Sequence, residues 1–242
     1  MRRTANLFFR GWTSWCIPLV LLLATILVFD LTNLDIAIQD HFYTPGEGWL
    51  ISMHKYSGFG LVYYTIPKFL LGNFSAVVLA LGVWRFIHFK KVPHGIIYVL
   101  VTMLTIPCVV ANLKSNSSMP YPSKITRYGG KEEPRTVIEA FRNPLQPSGK
   151  HYHGWPAGHA SGGFSLMGLA FVPAPPRRRW LGFAITSAIG FSMGICHTMD
   201  GNHFFSHNLA SFFIAWFIAA LLYQLYTAAL AWREKRHPRP AE

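Results

Sequence analysis

Three short segments hold the residue types that do polar chemistry. The first is Lys114-Ser-Asn-Ser-Ser-Met-Pro-Tyr121-Pro122, followed by Arg127-Tyr128-Gly129-Gly130. The second is Gly154-Trp-Pro156-Ala157-Gly158-His159-Ala-Ser161-Gly-Gly, and the third is His197-Thr-Met-Asp200-Gly-Asn-His203-Phe-Phe-Ser206-His207. His159 follows Pro-Ala-Gly and opens an apolar stretch, so unpaired backbone N–H groups and the positive end of a helix dipole lie beside it. A phosphate anion is stabilised at such a place. Two imidazoles facing one phosphate can divide the work: one attacks phosphorus and the other protonates the departing alkoxide. Lys114 would add a fixed positive charge for the equatorial oxygens. Metal binding by His197, His203 and His207 is a second reading of the same residues, but no carboxylate pair or cysteine supports it. The plainest reading is that isolated interfacial histidines are merely hydrogen-bonded; against it stands the convergence of three clusters on one face.

The elements that must position these segments follow from composition. The chain has 242 residues, 51% of them hydrophobic and only 13% charged, about half the charge of an ordinary soluble domain. Apolar runs are continuous rather than alternating, and only helices or closed barrels satisfy every backbone group in lipid. The expected fold is therefore all-α, a polytopic membrane helix bundle forming one integral membrane domain over 1–242. Spans are expected near 13–29, 69–89, 94–113, 159–175, 180–199 and 207–230, six transmembrane helices in all. The fourth is short and starts with glycines. Residues 40–68 can hold interfacial helices, and residues 114–155, rich in Pro, Gly, Ser and Lys, read as a structured loop. No small-residue cleavage site follows Phe29, so the first span is expected to be retained.

Orientation comes from the basic residues in the short connections. With six spans, Arg2, Arg3 and Arg10, then Arg85, Lys90 and Lys91, then Arg177, Arg178 and Arg179, and finally Arg233, Lys235, Arg236 and Arg239 all fall on one side. Both termini are then cytoplasmic. The opposite face carries eight of the ten acidic residues and the histidine clusters. Trp12, Trp15, Trp84, Trp180 and Trp232 sit near span ends, as interfacial aromatics do. The net charge of +12 flanks apolar spans, which argues against nucleic acid as a partner. Cys16, Cys108 and Cys196 lie in apolar segments, an odd set that argues against a disulfide framework. A transporter or channel would need polar residues deep in the spans, whose interiors here are almost wholly apolar.

The three segments resemble the signature motifs of the type 2 phosphatidic acid phosphatase superfamily: K-x6-R-P, P-S-G-H and S-R-x5-H-x3-D. Lys114 and Pro122 match the first, Pro156, Gly158 and His159 the second, and His203 the third. Tyr121 stands where the first motif has arginine, Ala157 where the second has serine, and His197 and His207 where the third has arginine and aspartate. A divergent bacterial branch of the superfamily is closer. There a Cys-Pro-Trp can replace the first Arg-Pro, Tyr-Gly-Gly follows, the second motif is P-A-G-H-A-S-G-G-F, and H-F-x-S-H closes the third. Phe164, Phe204, Ser206, Ala157 and His207 fit that branch; Tyr121 and His197 do not.

The resemblance implies a membrane lipid phosphatase or phosphotransferase of six spans, its site at the outer, periplasmic face of a bacterial inner membrane. It implies a phosphohistidine intermediate without a metal cofactor, with His203 as nucleophile and His159 as general acid. Lys114, Tyr121, Arg127, Gly158 and His197 would surround the substrate phosphate, and His207 and Asp200 would orient the nucleophile. Arg127 could reach back to the phosphate in place of the missing arginine; the alternative is a solvated loop charge. Asp200 could share a helical face with His203; the alternative is that it caps an Asp-Gly turn. Undecaprenyl diphosphate, phosphatidic acid, phosphatidylglycerol phosphate and lipid A are all candidate substrates. The rival class is a lipid-phosphate binder or regulatory protein that lost turnover with the two arginines.

Overall fold

The computed structural model describes residues 9, 11–51, 58–143, 145–146, 148–172 and 174–236. Arg2, Arg3, Arg10 and Arg239, counted above as cytoplasmic charges, lie outside the described residues. The architecture is helical: α1 (Thr13–Leu31), α2 (Leu34–Asp40), α3 (Gly58–Phe89), α4 (His94–Asn116), α5 (Val137–Arg142), α6 (Gly158–Phe164), α7 (Pro176–Met199) and α8 (Phe205–Arg236). A two-residue hairpin, β1 (Tyr43–Thr44) and β2 (Gly48–Trp49), is the sole sheet among the described residues.

Five helices, α1, α3, α4, α7 and residues 205–233 of α8, are long and apolar enough to cross a membrane. At 1.5 Å per residue, the 19 residues of α1 cover about 28 Å, close to the hydrocarbon thickness. Their exposed surface is apolar: Leu23, Leu27, Phe69, Leu79, Ile87, Leu104 and Leu181 all stand open, a pattern that only lipid explains over so large an area. The chain is an integral membrane protein. Burial of the helix cores rises from 11% in α3 to 50% in α8, so α8 and α7 form the centre of the bundle and α3 its loosely packed rim.

Two expected boundaries need correction. The second span does not begin at 69: the helix starts at Gly58 and passes through a π-helical turn, Leu61–Thr65, before continuing from Ile66. Nor is the fourth span, expected as a helix over 159–175, among the five long apolar helices. Its α-helical part is seven residues, Gly158–Phe164, continued by a 3-10 helix over Ser165–Ala170. The reason is close packing through glycine. A Cβ at Gly163 would lie 2.6 Å from the Gly190 Cα, one at Gly168 2.2 Å from the Thr102 hydroxyl, and one at Gly182 2.9 Å from the Leu169 backbone. Most residues of this segment are buried, so irregular backbone is tolerated, as it is at membrane depth when protein rather than lipid surrounds it. The segment runs antiparallel to α7, from His159 beside His197 to Ala170 beside Arg179.

Arg179, counted among the basic residues of the short connections, lies in the first turn of α7. It is buried, donates to the carbonyls of Ala170 and Phe9, and lies over the rings of Phe9, Phe171 and Tyr223. Its guanidinium thereby satisfies a carbonyl at the end of the 3-10 segment.

The 117–157 loop is built from the 3-10 turns Pro122–Lys124 and Thr126–Tyr128 and from α5, whose Thr136 and Glu139 form a capping box. Tyr43, Trp49 and Tyr128 pack their rings together at 4.9–5.2 Å, which fastens the hairpin to that loop.

Candidate active site

At the end of the bundle formed by the C-termini of α4 and α7 and the N-termini of α6 and α8, a cavity of about 350 Å³ is lined by Tyr64, Lys114, Tyr121, His159, His197, Asn202 and His203. Six of the residues singled out from sequence meet in or beside it: Lys114, Tyr121, Gly158, His159, His197 and His203. Lys114 comes from the last turn of α4. Gly158 opens α6 so close to it that a Cβ there would lie 3.4 Å from the Lys114 Nζ. His197 comes from the last turn of α7.

The loop carrying His203 is closed locally. The backbone N–H groups of Asn202 and His203 both donate to the His197 carbonyl, at 2.9 and 3.1 Å. Gly201 makes the reversal in the left-handed region, φ +70°, with Trp49 packed so closely that any Cβ would collide with its ring. The Asp200 carboxylate accepts from the Asn202 side chain. That contact belongs to the turn, and Asp200 is not among the residues lining the cavity.

His203 is almost wholly buried, and its Nδ1 lies 2.9 Å from the Gly154 carbonyl oxygen. A carbonyl only accepts, so Nδ1 carries the proton and donates, which leaves Nε2 with its lone pair. Burial is the main cause pushing the His203 imidazolium well below its usual range, and positive charge at Lys114 adds to it. The ring is therefore neutral at pH 7, the form that can attack an electrophile.

The other rings stand around it. The His159 centroid is 5.9 Å from that of His203, Tyr121 6.0 Å and His197 6.3 Å. His159 and His197 are stacked at 3.9 Å with their planes 20° apart, and Tyr64 lies edge-on to both, at 5.1 and 5.7 Å. Two imidazolium rings at that separation would repel, so at most one of the pair is charged at a time. Neither nitrogen of His197, nor Nδ1 of His159, has a hydrogen-bond partner among the described residues. Lys114 places its Nζ 5.9 Å from the Tyr121 ring centroid. A lysine, two imidazoles with open nitrogens and a lone-pair nitrogen around one small volume form a site for a tetrahedral oxyanion with a nucleophile beside it.

Besides Asp200, two of the residues named from sequence, Arg127 and His207, are not among those lining the cavity. Arg127 is bound bidentately to Asp40, at 2.9 and 2.6 Å, and does not line the cavity. The guanidinium and the Tyr128 hydroxyl hold the Asp40 carboxyl below the usual carboxylate range. His207 is fully buried beneath the site, its ring 5.9 Å from that of His203. The group that orients His203 is the Gly154 carbonyl.

Sequence reasoning missed that carbonyl, and also Tyr64, Asn202 and Lys68. Lys68 lines a second cavity of about 420 Å³ with Tyr64, Leu71, Ser75, Met103, Lys114, His159 and Gly162. Tyr64, Lys114 and His159 border both cavities, so the second leads from the site toward the middle of the helices, between α3 and α6. Tyr64 and Lys68 had one signal, their i,i+4 spacing at the head of an apolar run. A backbone carbonyl has none. Among the described residues, no group of three or more His, Cys, Asp or Glu side chains is placed to hold a metal ion.

The chain is 25% identical over 203 residues to the lipid A 4'-phosphatase of Francisella tularensis subsp. novicida (strain U112), covering 79% of this chain and 87% of that protein. No solved structure matches. The family model of the PAP2 superfamily matches residues 95–231, a stretch that holds Lys114, His159, His197, His203 and every helix from α5 to α7. By that match, spanning more than half its length, the chain belongs to the PAP2 superfamily.

Proposed function

We propose that this protein is a membrane phosphatase or phosphotransferase that acts on lipid phosphates or diphosphates through a phosphohistidine at His203. The observation that carries the reading is the His203 ring itself: its Nδ1 is tied to the Gly154 carbonyl, and its other edge shares a cavity with His159 and Lys114. In the first step the Nε2 lone pair attacks phosphorus and forms an N–P bond. The bond from phosphorus to the lipid oxygen breaks in line, and that oxygen takes a proton from His159. Lys114 balances charge on the equatorial oxygens. Water, or the hydroxyl of a second lipid, then gives its proton to His159 and attacks phosphorus, which releases His203. The second cavity supports a lipid substrate, since it leads sideways from the site among apolar side chains.

The same reading includes six crossings, with 158–171 as the fourth, both termini in the cytoplasm of a bacterial cell and the cavity at the periplasmic face. Its support is that Arg85, Lys90, Lys91, Arg177, Arg178, Arg233 and Arg236 lie at the helix ends opposite the histidines. Phosphate release by the purified protein, measured on a panel of lipid phosphates with and without chelator, tests the chemistry. Turnover lost in His203→Ala and resistant to chelation is the expected result. One observation favours a second reading, a lipid-phosphate binder without turnover: neither Tyr121 nor His197 supplies a permanent cation, and Arg127 is committed to Asp40. Lipid binding with equal inactivity of wild type and His203→Ala would establish it.

A further inference from the structure

Three aspartates in residues 30–40, all outside the stretch that matches the family, each hold a different part of the site's scaffold. Asp30 accepts from the Val137 and Ile138 N–H groups at the start of α5, at 2.9 and 3.2 Å. Asp35 accepts from both the backbone N–H (3.0 Å) and the hydroxyl of Ser206. Asp40 holds Arg127. Of these, Asp35 is closest to the chemistry in sequence terms: Ser206 is the second residue of α8, three beyond His203 and one before His207. The first N–H groups of a helix have no partner within it, and a carboxylate there satisfies them and meets the positive end of the dipole.

We infer that Asp35 is a positioning residue for phosphoryl transfer: by clamping the head of α8 it sets where the His203 ring stands against His159. The inference rests on the phosphohistidine reading for its catalytic consequence, but the clamp itself is a contact within the fold. Family resemblance at the third motif supplies a histidine, His207, where an orienting carboxylate would stand; here a carboxylate reaches the same helix turn from α2.

Burial raises the Asp35 carboxyl to about 6, against the lowering effect of the two Ser206 hydrogen bonds. The charged groups that line the same cavity as Asp35 are Asp30 on α1 and Arg135 and Glu139 at the head of α5, and Asp30 adds to the upward shift. The folded chain holds the Asp35 proton more tightly than an unfolded one, so Asp35 stabilises the fold most at low pH, and that contribution is lost as pH rises through about 6. Positioning needs the opposite form, because only the carboxylate holds the Ser206 donors with charge-assisted hydrogen bonds and meets the positive end of the α8 dipole. Between pH 7 and 5, activity should fall while stability rises, a divergence that a merely structural residue would not produce. His203, whose own titration lies well lower, does not contribute a limb there.

The test uses full-length protein in detergent micelles with dioleoyl phosphatidic acid. Phosphate release is followed from pH 5 to 8, thermal unfolding is followed over the same range, and hydrogen exchange is measured for residues 203–208. Asp35→Ala should lower kcat at least tenfold with KM within threefold, and should speed exchange at 203–208. Asp35→Asn, which keeps one acceptor for Ser206, should recover part of the rate and lose the limb near pH 6. Unchanged kcat and exchange in Asp35→Ala, or an unchanged acid limb in Asp35→Asn, would overturn the inference. If Asp35→Ala does not fold, the acid limb of Asp35→Asn decides. A wild type inactive on dioleoyl phosphatidic acid and on every other lipid phosphate of the panel would defeat the phosphatase reading instead, and exchange in the variants would then decide the clamp alone.

Discussion

Replacing Gly154 by alanine adds one methyl group outside the cavity and should disable the site. The Gly154 N–H donates to the Met119 carbonyl at 2.8 Å, and its own carbonyl holds His203 at 2.9 Å. A Cβ at this position would lie 2.5 Å from the Met119 oxygen, where ordinary contact begins at 3.4 Å. The shortfall is 3.4 − 2.5 = 0.9 Å, and both neighbours are backbone, so no flexible side chain can absorb it. A displacement of about 1 Å at a group that aligns a nucleophile costs on the order of 10²-fold in rate, and overpacking costs about 1–3 kcal/mol of stability. The assay is kcat for lipid phosphate release at saturating substrate, with thermal unfolding alongside. Gly72→Ala serves as the control, since nothing lies within 4 Å of its added methyl. A folded Gly154→Ala variant that turns over within threefold of wild type would refute the argument that the Gly154 carbonyl orients His203.

Arg127→Ala should leave kcat/KM within threefold, because Arg127 is paired with Asp40 away from the cavity, whereas Lys114→Ala should lose at least a hundredfold; steady-state kinetics on one lipid phosphate separates the two. Tyr121→Arg should raise kcat/KM about tenfold, or about 1.4 kcal/mol, by placing a planar cation beside the phosphate position; a decrease would show that the tyrosine ring is itself needed. Arg179→Ala should destabilise the fold by about 2–3 kcal/mol, through lost charge-assisted hydrogen bonds to Ala170 and Phe9, without altering KM. With the three native cysteines replaced, a cysteine at Lys131 should react with a membrane-impermeant thiol reagent in intact cells and one at Arg178 should not; the reverse labelling would invert the proposed orientation.

The helical membrane architecture was legible from residue order alone, because lipid imposes one rule on every span: a long apolar run with its backbone bonds made internally. Continuous runs such as Leu19–Val28 and Val99–Val110 obey it. The histidine and lysine positions were legible too, because chemistry requires those residue types at a helix end whatever holds them. The irregular course of the fourth segment, expected as a span near 159–175, was not legible, since its glycines signal a close approach only when Gly190, Thr102 and Leu169 are known to stand opposite. Tertiary structure alone decided which of these side chains meet in the cavity and which are paired away from it. Arg127 and Asp200, both suited by type, are drawn off by Asp40 and Asn202. The carbonyl of Gly154 and the carboxylate of Asp35 reach His203 and Ser206, 49 and 171 residues away in sequence. Spacing along a chain constrains residues on one helix face or one turn, whereas a contact across such separations exists only once the helices have packed.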